Sequence, residues 1–434
     1  MNMKRKHWMI WAAALLLPAL AGAQESGKFT VDADFLTRGE YRYGGLAEEE
    51  TAEQNQAAFI LERTRLGVGY ARGGFTAKVV AQHSGIWGGD AGGDFSLKEA
   101  WVQFDTKPGF FVKAGRQNLA YDDQRIFGND DWAMTGYSHD VLKVGWEGKG
   151  HKLHLLGAWN QNAANMSGGT TFLNGYQPYK AMEALWYHYD VPSFPLGASL
   201  VFMNVGMQGV DASTQEPKTF QQQLAGAYLS FKPERWSAEA AYYHQMGREE
   251  NGLPLDAWMA SIRGQVNFPP AFQVYVGYDY LSGDPDYAIP AQGMLGLTRH
   301  ETVRGFSSIF GSHHKFYGAM DFFYVTTYLN GFTPGLQNAY AGVRWTPIPS
   351  IAVDASYHFY AAATRLEDSK KPLGHDIELA ATWSFLKDAR LSLGYSYMHG
   401  TETMEMLKRT TGNRRLHWAW LMLSVTPTFF QSKH

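Results

Sequence analysis

Cysteine, long apolar runs and an excess of either charge are all scarce in this sequence. With no cysteine among 434 residues, a disulfide framework, a cysteine nucleophile and a thiolate metal site are excluded. No stretch approaches about 18 consecutive apolar residues, which disfavours a helical membrane protein. The 38 Lys and Arg residues against 41 Asp and Glu residues show no basic bias, so we expect no nucleic-acid partner.

Catalytic and metal-binding motifs are also absent from the sequence. The chain has no G-x-S-x-G elbow, no H-E-x-x-H pair and no EF-hand loop, so we expect neither an enzyme nor a cofactor. His313 and His314 are adjacent, and neighbours in a strand point to opposite faces, so they would not both bind one ion if a strand begins there. The pairs Asp122/Asp123 and Asp130/Asp131 leave calcium as a minor alternative, because Ca²⁺ takes six to eight oxygen ligands.

The first 23 residues predict a secretory signal peptide. Three cations at 4–6 precede an apolar run at 8–20, and the small residues Ala21, Gly22 and Ala23 follow it. These are the charged, apolar and cleavage regions of such a peptide. We therefore expect export, with residues 24–434 forming a single domain.

The rest of the chain alternates apolar and polar residues with a period of two. The clearest case is 257–268, whose apolar face carries Trp258, Ala260, Ile262, Val266 and Phe268. Its other face carries Ser261, Arg263, Gln265 and Asn267. With aromatic residues at 15%, this pattern favours strands with one lipid-facing and one water-facing side. Composition alone would also fit a large secreted β-sandwich or a solenoid.

Short and long connections alternate between the predicted strands. Short ones bear Pro or Gly, as at 72–74, 232–235 and 269–271, whereas those at 44–56 and 161–179 are long and polar. This asymmetry is typical of an outer-membrane β-barrel, in which closure leaves no unpaired edge in lipid. The last segment, 414–429, resembles an outer-membrane insertion signal, because apolar residues occupy alternate positions and an aromatic residue ends it close to the C-terminus.

The count of about 18 or 19 strands is settled by parity, because single-chain bacterial barrels have even numbers. A strand at 272–281 runs outward and the next one, at 338–345, must return. Residues 282–336 then form one large loop, including the strand-like run 314–325. The fold class is therefore all-β: a single transmembrane antiparallel β-barrel of about 18 strands in the outer membrane, with short periplasmic turns and long extracellular loops.

Four sequence blocks point to a family. They are AGRQNLAYDDQRIFG at 114–128 followed by Trp132, SGD at 282–284, HKFYGAMDFF at 314–323 and GLQNAYAGV at 335–343. In these blocks the chain resembles the alginate-export family of outer-membrane porins, over about residues 29–429. The resemblance implies an 18-stranded barrel that exports a polyuronate through a constriction of arginines and lysines with a few acidic residues opposite. By motif match it assigns Arg116 and Arg125 to that constriction.

Fixed cations are what an anionic substrate requires in a narrow pore, because rings of Arg or Lys set anion selectivity. The inward phase of the strands selects Arg38, Arg63, Arg65, Lys113, Arg263 and Arg344. Arg116 falls on the lipid-facing phase unless its strand has ended or bulged. For each single residue the alternative is an ion pair with a lumen acid. The lumen-phase residues Trp101, Trp418 and Trp420 are candidate stacking platforms for a sugar.

The stretch 110–132 begins as a strand and continues into a highly charged segment. That segment carries Arg116, Asp122, Asp123, Arg125, Asp130 and Asp131. These charges cannot face lipid, where a cation at the midplane costs roughly 2–4 kcal/mol. We predict that the segment folds into the lumen and narrows it, with Arg125, Asp122 and Asp123 inside. The alternatives are an outward, solvated loop, or a constriction formed by 282–336 with Lys315.

The sequence thus predicts an outer-membrane channel for an anionic polysaccharide or small anionic solutes, surrounded by outer-membrane lipid. Periplasmic export partners fit that role. The main alternative is a general or sugar-uptake diffusion porin of the same fold, because a barrel does not encode the direction of transport. An outer-membrane enzyme would need a nucleophile, a base and an orienting residue on the outer rim, and no such signature is present.

Overall fold

The computed structural model describes residues 27–44, 56–89, 93–106, 108–161, 179–211, 214–284, 302–323, 333–366, 369–408 and 414–432. The predicted signal peptide lies outside these residues. So do most of the predicted outer loops 44–56 and 161–179, and the middle of 282–336.

The described residues form an 18-stranded antiparallel barrel. The strands are β1 (Lys28–Tyr43), β2 (Gln56–Arg72), β3 (Phe75–Ile86), β4 (Asp94–Asp105), β5 (Phe110–Gln117), β6 (His139–Gly148), β7 (His151–Trp159), β8 (Ala181–Asp190), β9 (Leu196–Val210), β10 (Pro217–Phe231), β11 (Trp236–Arg248), β12 (Pro254–Phe268), β13 (Phe272–Leu281), β14 (Leu336–Ile348), β15 (Ile351–Ala361), β16 (Pro372–Leu386), β17 (Ala389–Gly400) and β18 (Arg415–Val425 and Thr428–Gln431). A short helix, α1 (Glu402–Lys408), lies between β17 and β18.

The barrel is closed by the first and last strands. Each strand pairs with its sequence neighbour, and β1 pairs with both β2 and β18. The closing register places Phe35 opposite Val425 and Tyr43 opposite His417. The last strand is interrupted at Thr426 and Pro427 but continues to pair with β1 beyond them. Closure satisfies the backbone of every strand, which a sheet in lipid requires. No helix in the described residues is long and apolar enough to cross a membrane.

Parity correctly predicted the strand count. No strand occurs between β13 and β14 in the described part of that connection, and the strand-like run that begins at 314 folds into turns instead. The predicted short turns at 72–74, 232–235 and 269–271 each join consecutive strands. All lie at the rim opposite the long loops. One further short connection, at 191–195, joins β8 to β9 and was not among the predicted turns.

Inward-facing residues change character along the barrel axis. On β12 the inward side chains near the long-loop rim are Leu255, Ala257 and Met259, whereas Ser261 and Arg263 follow toward the short turns. The apolar half packs against residues of the long loops and forms a buried cluster inside the barrel. The polar half faces open space. The lumen is therefore filled near the long-loop rim and open near the short-turn rim.

Candidate functional site

The loop between β5 and β6, residues 118–138, crosses the lumen. Leu119 and Phe127 are each only 1% exposed within it. The carboxylate of Asp122 accepts hydrogen bonds from the Trp186 indole on β8 at 3.1 Å and from the Ser199 hydroxyl on β9 at 2.5 Å. These contacts hold the loop inside the barrel against β8 and β9. Sequence reasoning predicted the inward direction but did not identify Trp186 and Ser199 as its contacts.

Arg125 is the most completely paired charge of this loop. Its Nη2 bonds the Asp279 carboxylate on β13 at 2.7 Å, and its Nε bonds that of Asp123 at 2.8 Å. Its Nη1 donates to the Tyr317 hydroxyl at 3.1 Å, and the guanidinium lies 4.0 Å from the Phe316 ring. Burial alone would lower the pKa of Arg125, but Asp279, Tyr317 and Asp123 together outweigh it and the pKa lies well above its usual value. Arg125 therefore remains charged and ties the loop to the barrel wall.

A second loop joins the first inside the lumen. Residues 302–323, between β13 and β14, meet the β5–β6 loop where Phe310 stacks on Phe127 with ring centroids 5.9 Å apart. The Gly128 amide donates to the Phe310 carbonyl at 2.8 Å. His314 lies flat on Trp132, with centroids 3.9 Å apart. The two loops that the sequence offered as alternatives thus pack together. We call residues 118–138 and 302–323 the constriction.

The predicted lumen arginines of β1 and β2 face inward but are covered by the β5–β6 loop. Arg38 donates to the Trp132 carbonyl at 3.0 Å and Arg63 to the Asp131 carbonyl at 2.9 Å. Arg65 pairs with the Asp131 carboxylate at 2.8 Å. All three are at most 9% exposed. They therefore hold the loop against the wall, which is close to the ion-pair alternative raised for each of them.

Arg116 is placed differently from its assignment to the pore. It lies on the outward face of β5, in phase with the exposed Phe110 and Val112. Its Nε and Nη2 both donate to the Asp140 carboxylate on β6 at 2.8 Å, and its Nη1 donates to the Leu97 carbonyl at 3.3 Å. The backbone keeps its alternation through this position, so the inward assignment by motif match is wrong. A charge is tolerated there because Asp140 neutralises it near the end of the strand.

Four cations line the inner side of the barrel wall or of the loops that fill the lumen. Lys113 and Lys143 are directly opposite each other on β5 and β6, and the Lys113 ammonium lies 3.5 Å from the Trp101 ring. Arg263 on β12 and Lys315 of the second loop line one cavity next to the constriction. Within the described ranges, none of these four forms an ion pair with a carboxylate. Arg344, also inward-facing, pairs with Asp354 at 3.2 Å.

The tryptophans that were candidate stacking platforms for a sugar already contact other side chains of the protein. The Trp101 indole donates to Glu99 at 2.7 Å, and that of Trp418 donates to Glu40 at 2.9 Å. Trp420 meets the edge of Trp132 at 5.1 Å. These side chains line or support the wall of the barrel beside the constriction.

His314 and members of both acidic pairs have protein partners. The His314 Nδ1 lies 2.9 Å from a carboxylate oxygen of Asp321, within hydrogen-bonding distance. Asp122 and Asp123 accept bonds from different partners, as described above, and the Asp130 amide donates to the Ser312 hydroxyl at 2.9 Å. The described residues contain no group of three or more His, Cys, Asp or Glu that could hold a metal ion.

Asp130 makes the constriction sensitive to pH. Burial raises its pKa to about 6 and the like charge of Asp321 adds to this, although His314 and Lys98 act in the opposite direction. Because this pKa exceeds the usual value of 3.8, ionisation of Asp130 opposes docking of the loop. Docking is favoured most below the usual value, and this contribution is lost as pH rises through the raised one.

We therefore expect transient openings in single-channel recordings to become more frequent as pH rises from about 4 to about 6, the interval between the usual and the raised pKa of Asp130. The Asp130→Asn variant should show a flatter profile over that range, because the replaced side chain no longer titrates. An unchanged pH profile in this variant would show that another group is responsible.

Solved structures similar to this one are outer-membrane porins. OpdO of Pseudomonas aeruginosa has a TM-score of 0.61 and 12% identity, with 93% of this chain and 98% of that chain covered. The crystal structure of Pseudomonas aeruginosa OccK2 (OpdF) in complex with glucuronate gives 0.60 and 13%, covering 93% and 97%. A BenF-like porin from Pseudomonas fluorescens Pf-5 gives 0.60 and 12%, covering 92% and 99%. At these identities the similarity establishes the fold alone.

Sequence comparison gives the family. No curated protein sequence matches the chain. The family model for alginate export matches residues 93–416, which is most of the chain and includes both loops of the constriction. With the closed barrel, this match confirms the resemblance predicted from the sequence blocks. The chain is an outer-membrane channel protein that belongs to the alginate-export family.

Proposed function

We propose that the channel conducts anions in preference to cations and carries small anionic saccharides. The observation that carries this proposal is the set of lumen cations without carboxylate partners: Lys113, Lys143, Arg263 and Lys315. Lys113, Lys143 and Arg263 lie on the barrel wall, and Lys315 belongs to the second loop of the constriction. Every solute that passes the constriction must also pass them.

In a narrow pore, the charges that line the wall decide the selectivity between anions and cations. The chain has a formal net charge of −3, but the field in a narrow pore follows the groups that line it. Some of the lumen acids in contact with the constriction pair with cations, as Asp279 and Asp123 both do with Arg125. The adjacent ammonium groups of Lys113 and Lys143 make the inner wall at β5 and β6 locally positive. An anion that enters this half exchanges part of its hydration for those charges.

Saccharide acids fit the remaining surface of the open half. Its wall carries tyrosines and hydroxyl or amide side chains in addition to the cations. Glucuronate, the ligand in the OccK2 structure, combines a carboxylate with a hydroxyl-rich ring, and that chemistry matches this lining. A long polyuronate would have to thread past two packed loops, so the closed arrangement favours short solutes.

A general diffusion porin is the second candidate. One observation favours it: Arg125 of the constriction and the wall arginines that contact it, Arg38, Arg63 and Arg65, are all bonded to carboxylates or backbone carbonyls. If only these residues governed passage, the pore would discriminate weakly between ions.

We expect the wild-type channel to give an anion-selective reversal potential in a salt gradient. Replacing both Lys113 and Lys143 by Gln should shift this potential toward zero, because two unpaired positive charges leave the lumen wall. The matched control removes a charge pair from the outer face, as Arg116→Gln with Asp140→Asn, and should leave the potential unchanged. Cation preference in the wild-type channel would eliminate anion selectivity and favour the diffusion porin.

A further inference from the structure

The outer face of the barrel carries a row of basic side chains near the long-loop rim. His375 on β16, His399 on β17 and Arg415 on β18 are directly opposite one another in the ladders between these strands. All three are exposed and point outward, because the residues that alternate with them are buried. Neighbouring strands are about 4.8 Å apart, so the row spans roughly 10 Å across the sheet. We call these three residues the basic row.

Aromatic side chains place the basic row at the membrane boundary. Tyr397 and His417 are opposite each other two residues below the row, and Tyr43 on β1 is opposite His417. Exposed leucines occupy outward positions further toward the short turns: Leu379, Leu393 and Leu421. Tyrosine is typical of the headgroup level and leucine of the hydrocarbon. The basic row therefore lies at the depth of lipid headgroups, on the side of the long loops.

Tyrosine hydroxyls hold two of the outward imidazoles in place. The Nδ1 atom of His417 forms a hydrogen bond with the Tyr395 hydroxyl at 2.8 Å, and that of His375 forms one with the Tyr357 hydroxyl. A bond at one ring nitrogen fixes the orientation of the ring and leaves the other nitrogen, Nε2, to meet a partner outside the chain. A ring fixed in this way loses less conformational freedom when it binds a ligand.

Carboxylates accompany the outward cations of other sectors but not those of this one. In the described strands β15 to β18 and β1, no outward position carries Asp or Glu. Elsewhere the outward cations lie beside carboxylates, as His83 does by Glu62 at 3.7 Å, Arg116 by Asp140 at 2.8 Å and His244 by Asp256 at 3.1 Å. Above the basic row, Glu402 of α1 is exposed and Glu405 is bonded to Arg414 at 2.6 Å. The strand face itself is therefore positive.

We propose that the basic row binds the phosphate group of an anionic glycolipid in the outer leaflet of the membrane. A phosphate monoester carries a charge of about −1.5 to −2 at pH 7 and has three strong acceptor oxygens. Two imidazoles and a guanidinium supply matching donors. The acyl chains of the lipid then lie along the leucines below the row. A phosphodiester has less charge and fewer terminal oxygens, so ordinary phospholipids should bind more weakly. Lipid binding on the outer face is independent of the ion selectivity of the lumen.

The test uses the whole barrel chain, refolded into detergent so that no cellular lipid is carried over. The probe is lipid A with its phosphates intact, compared with dephosphorylated lipid A and with phosphatidylglycerol. Native mass spectrometry measures the fraction of protein with bound lipid at each lipid concentration. We expect lipid A to half-saturate the protein at a concentration at least about tenfold lower than either comparison lipid.

A triple variant removes the basic row, as His375→Gln, His399→Gln and Arg415→Gln. It should raise the half-saturating concentration of lipid A at least about tenfold, because charge-assisted bonds to the phosphate are lost. The matched control replaces the same residue types beside carboxylates, as His83→Gln, His244→Gln and Arg116→Gln, and should bind lipid A like the wild type. Resistance to denaturation in detergent checks the folding of both variants. If the triple variant does not fold, His399→Gln alone should still weaken binding about threefold.

Four results would overturn the proposal. Equal binding of dephosphorylated lipid A would show that the acyl chains alone hold the lipid. Equal binding of phosphatidylglycerol would remove the preference for a glycolipid. Equal weakening in the control variant would show that the charge of the whole outer surface attracts lipid. A dimer that persists without lipid, and that dissociates in the triple variant, would assign the basic row to an interface between two copies of the barrel.

Discussion

Deleting residues 121–132 should raise the single-channel conductance several-fold and weaken the selectivity between ions. The deletion removes Arg125, Phe127 and Trp132, which contact the barrel wall and the second loop. The second loop then loses its main partners in the lumen. A wider path lowers resistance, and fixed charges act more weakly across it because salt screens them over roughly 8–10 Å.

The barrel itself should tolerate this deletion. Gln117 and His139 are opposite each other in the ladder between β5 and β6, so residues 118–120 and 133–138 suffice to join the two strands. The bonds that close the barrel, between β1 and its two neighbours, are not involved. Folding can be checked independently by the resistance of the barrel to denaturation in detergent.

A control variant alters the long-loop rim of the barrel without changing residues of the constriction. Replacing residues 249–251 in the short β11–β12 loop by Gly-Ser-Gly changes the surface of the long-loop rim, and the conductance should stay at the wild-type value. If the 121–132 deletion folds and conducts like the wild type, the second loop alone blocks the lumen. The comparable deletion within 302–323 would then give the larger conductance.

The barrel was predictable because its signals are local and repeated. Alternation in segments such as 257–268 reports which residues face lipid, and Pro or Gly marks the short turns. Parity then resolved the ambiguous run that begins at 314, because an additional strand there would have left β14 running in the wrong direction. These rules depend on the backbone and on the lipid, which act in the same way on every strand.

The pairing inside the lumen was not predictable to the same degree. Phase placed Arg38, Arg63 and Arg65 inside correctly, but it does not show whether a loop covers them. Arg125 and Asp279 are 154 residues apart in sequence. No sequence feature near either residue indicates that the two form a pair. Arg116 shows the opposite error. The motif match assigned it to the lumen, although the alternation of its own strand places it on the lipid-facing side.

One signal for the filled half of the lumen was present in the sequence. Inward positions near the long-loop rim carry apolar residues, such as Met182 on β8, Met203 on β9 and Met259 on β12. A water-filled pore would not retain apolar side chains on both faces of its strands. Apolar residues on the inward phase therefore indicate where loops pack inside a barrel, and Phe127 and Phe310 are the loop residues that meet them.

Arg125→Met should release the β5–β6 loop from the wall. The substitution leaves the Asp279 carboxylate, which is 1% exposed, with the amide of Asn338 as its remaining side-chain donor. Removing one partner of a buried ion pair costs about 3–5 kcal/mol. Applied to docking, this corresponds to an increase on the order of 10²- to 10³-fold in the undocked population. Frequent large openings should appear in single-channel recordings, and trypsin should cleave after Lys315 in the folded barrel.

The matching double variant tests whether the uncompensated charge is the cause. Arg125→Met combined with Asp279→Asn removes both charges and should recover most of the protection from trypsin, because two neutral groups carry no unpaired buried charge. Arg344→Met breaks an exposed pair, worth about 0–1 kcal/mol, and should behave as the wild type. If the double variant is cleaved as fast as Arg125→Met, the contacts of Arg125 with Phe316 and Tyr317 hold the loop instead. If Arg125→Met itself remains protected, docking depends on the apolar contact of Phe127 with Phe310.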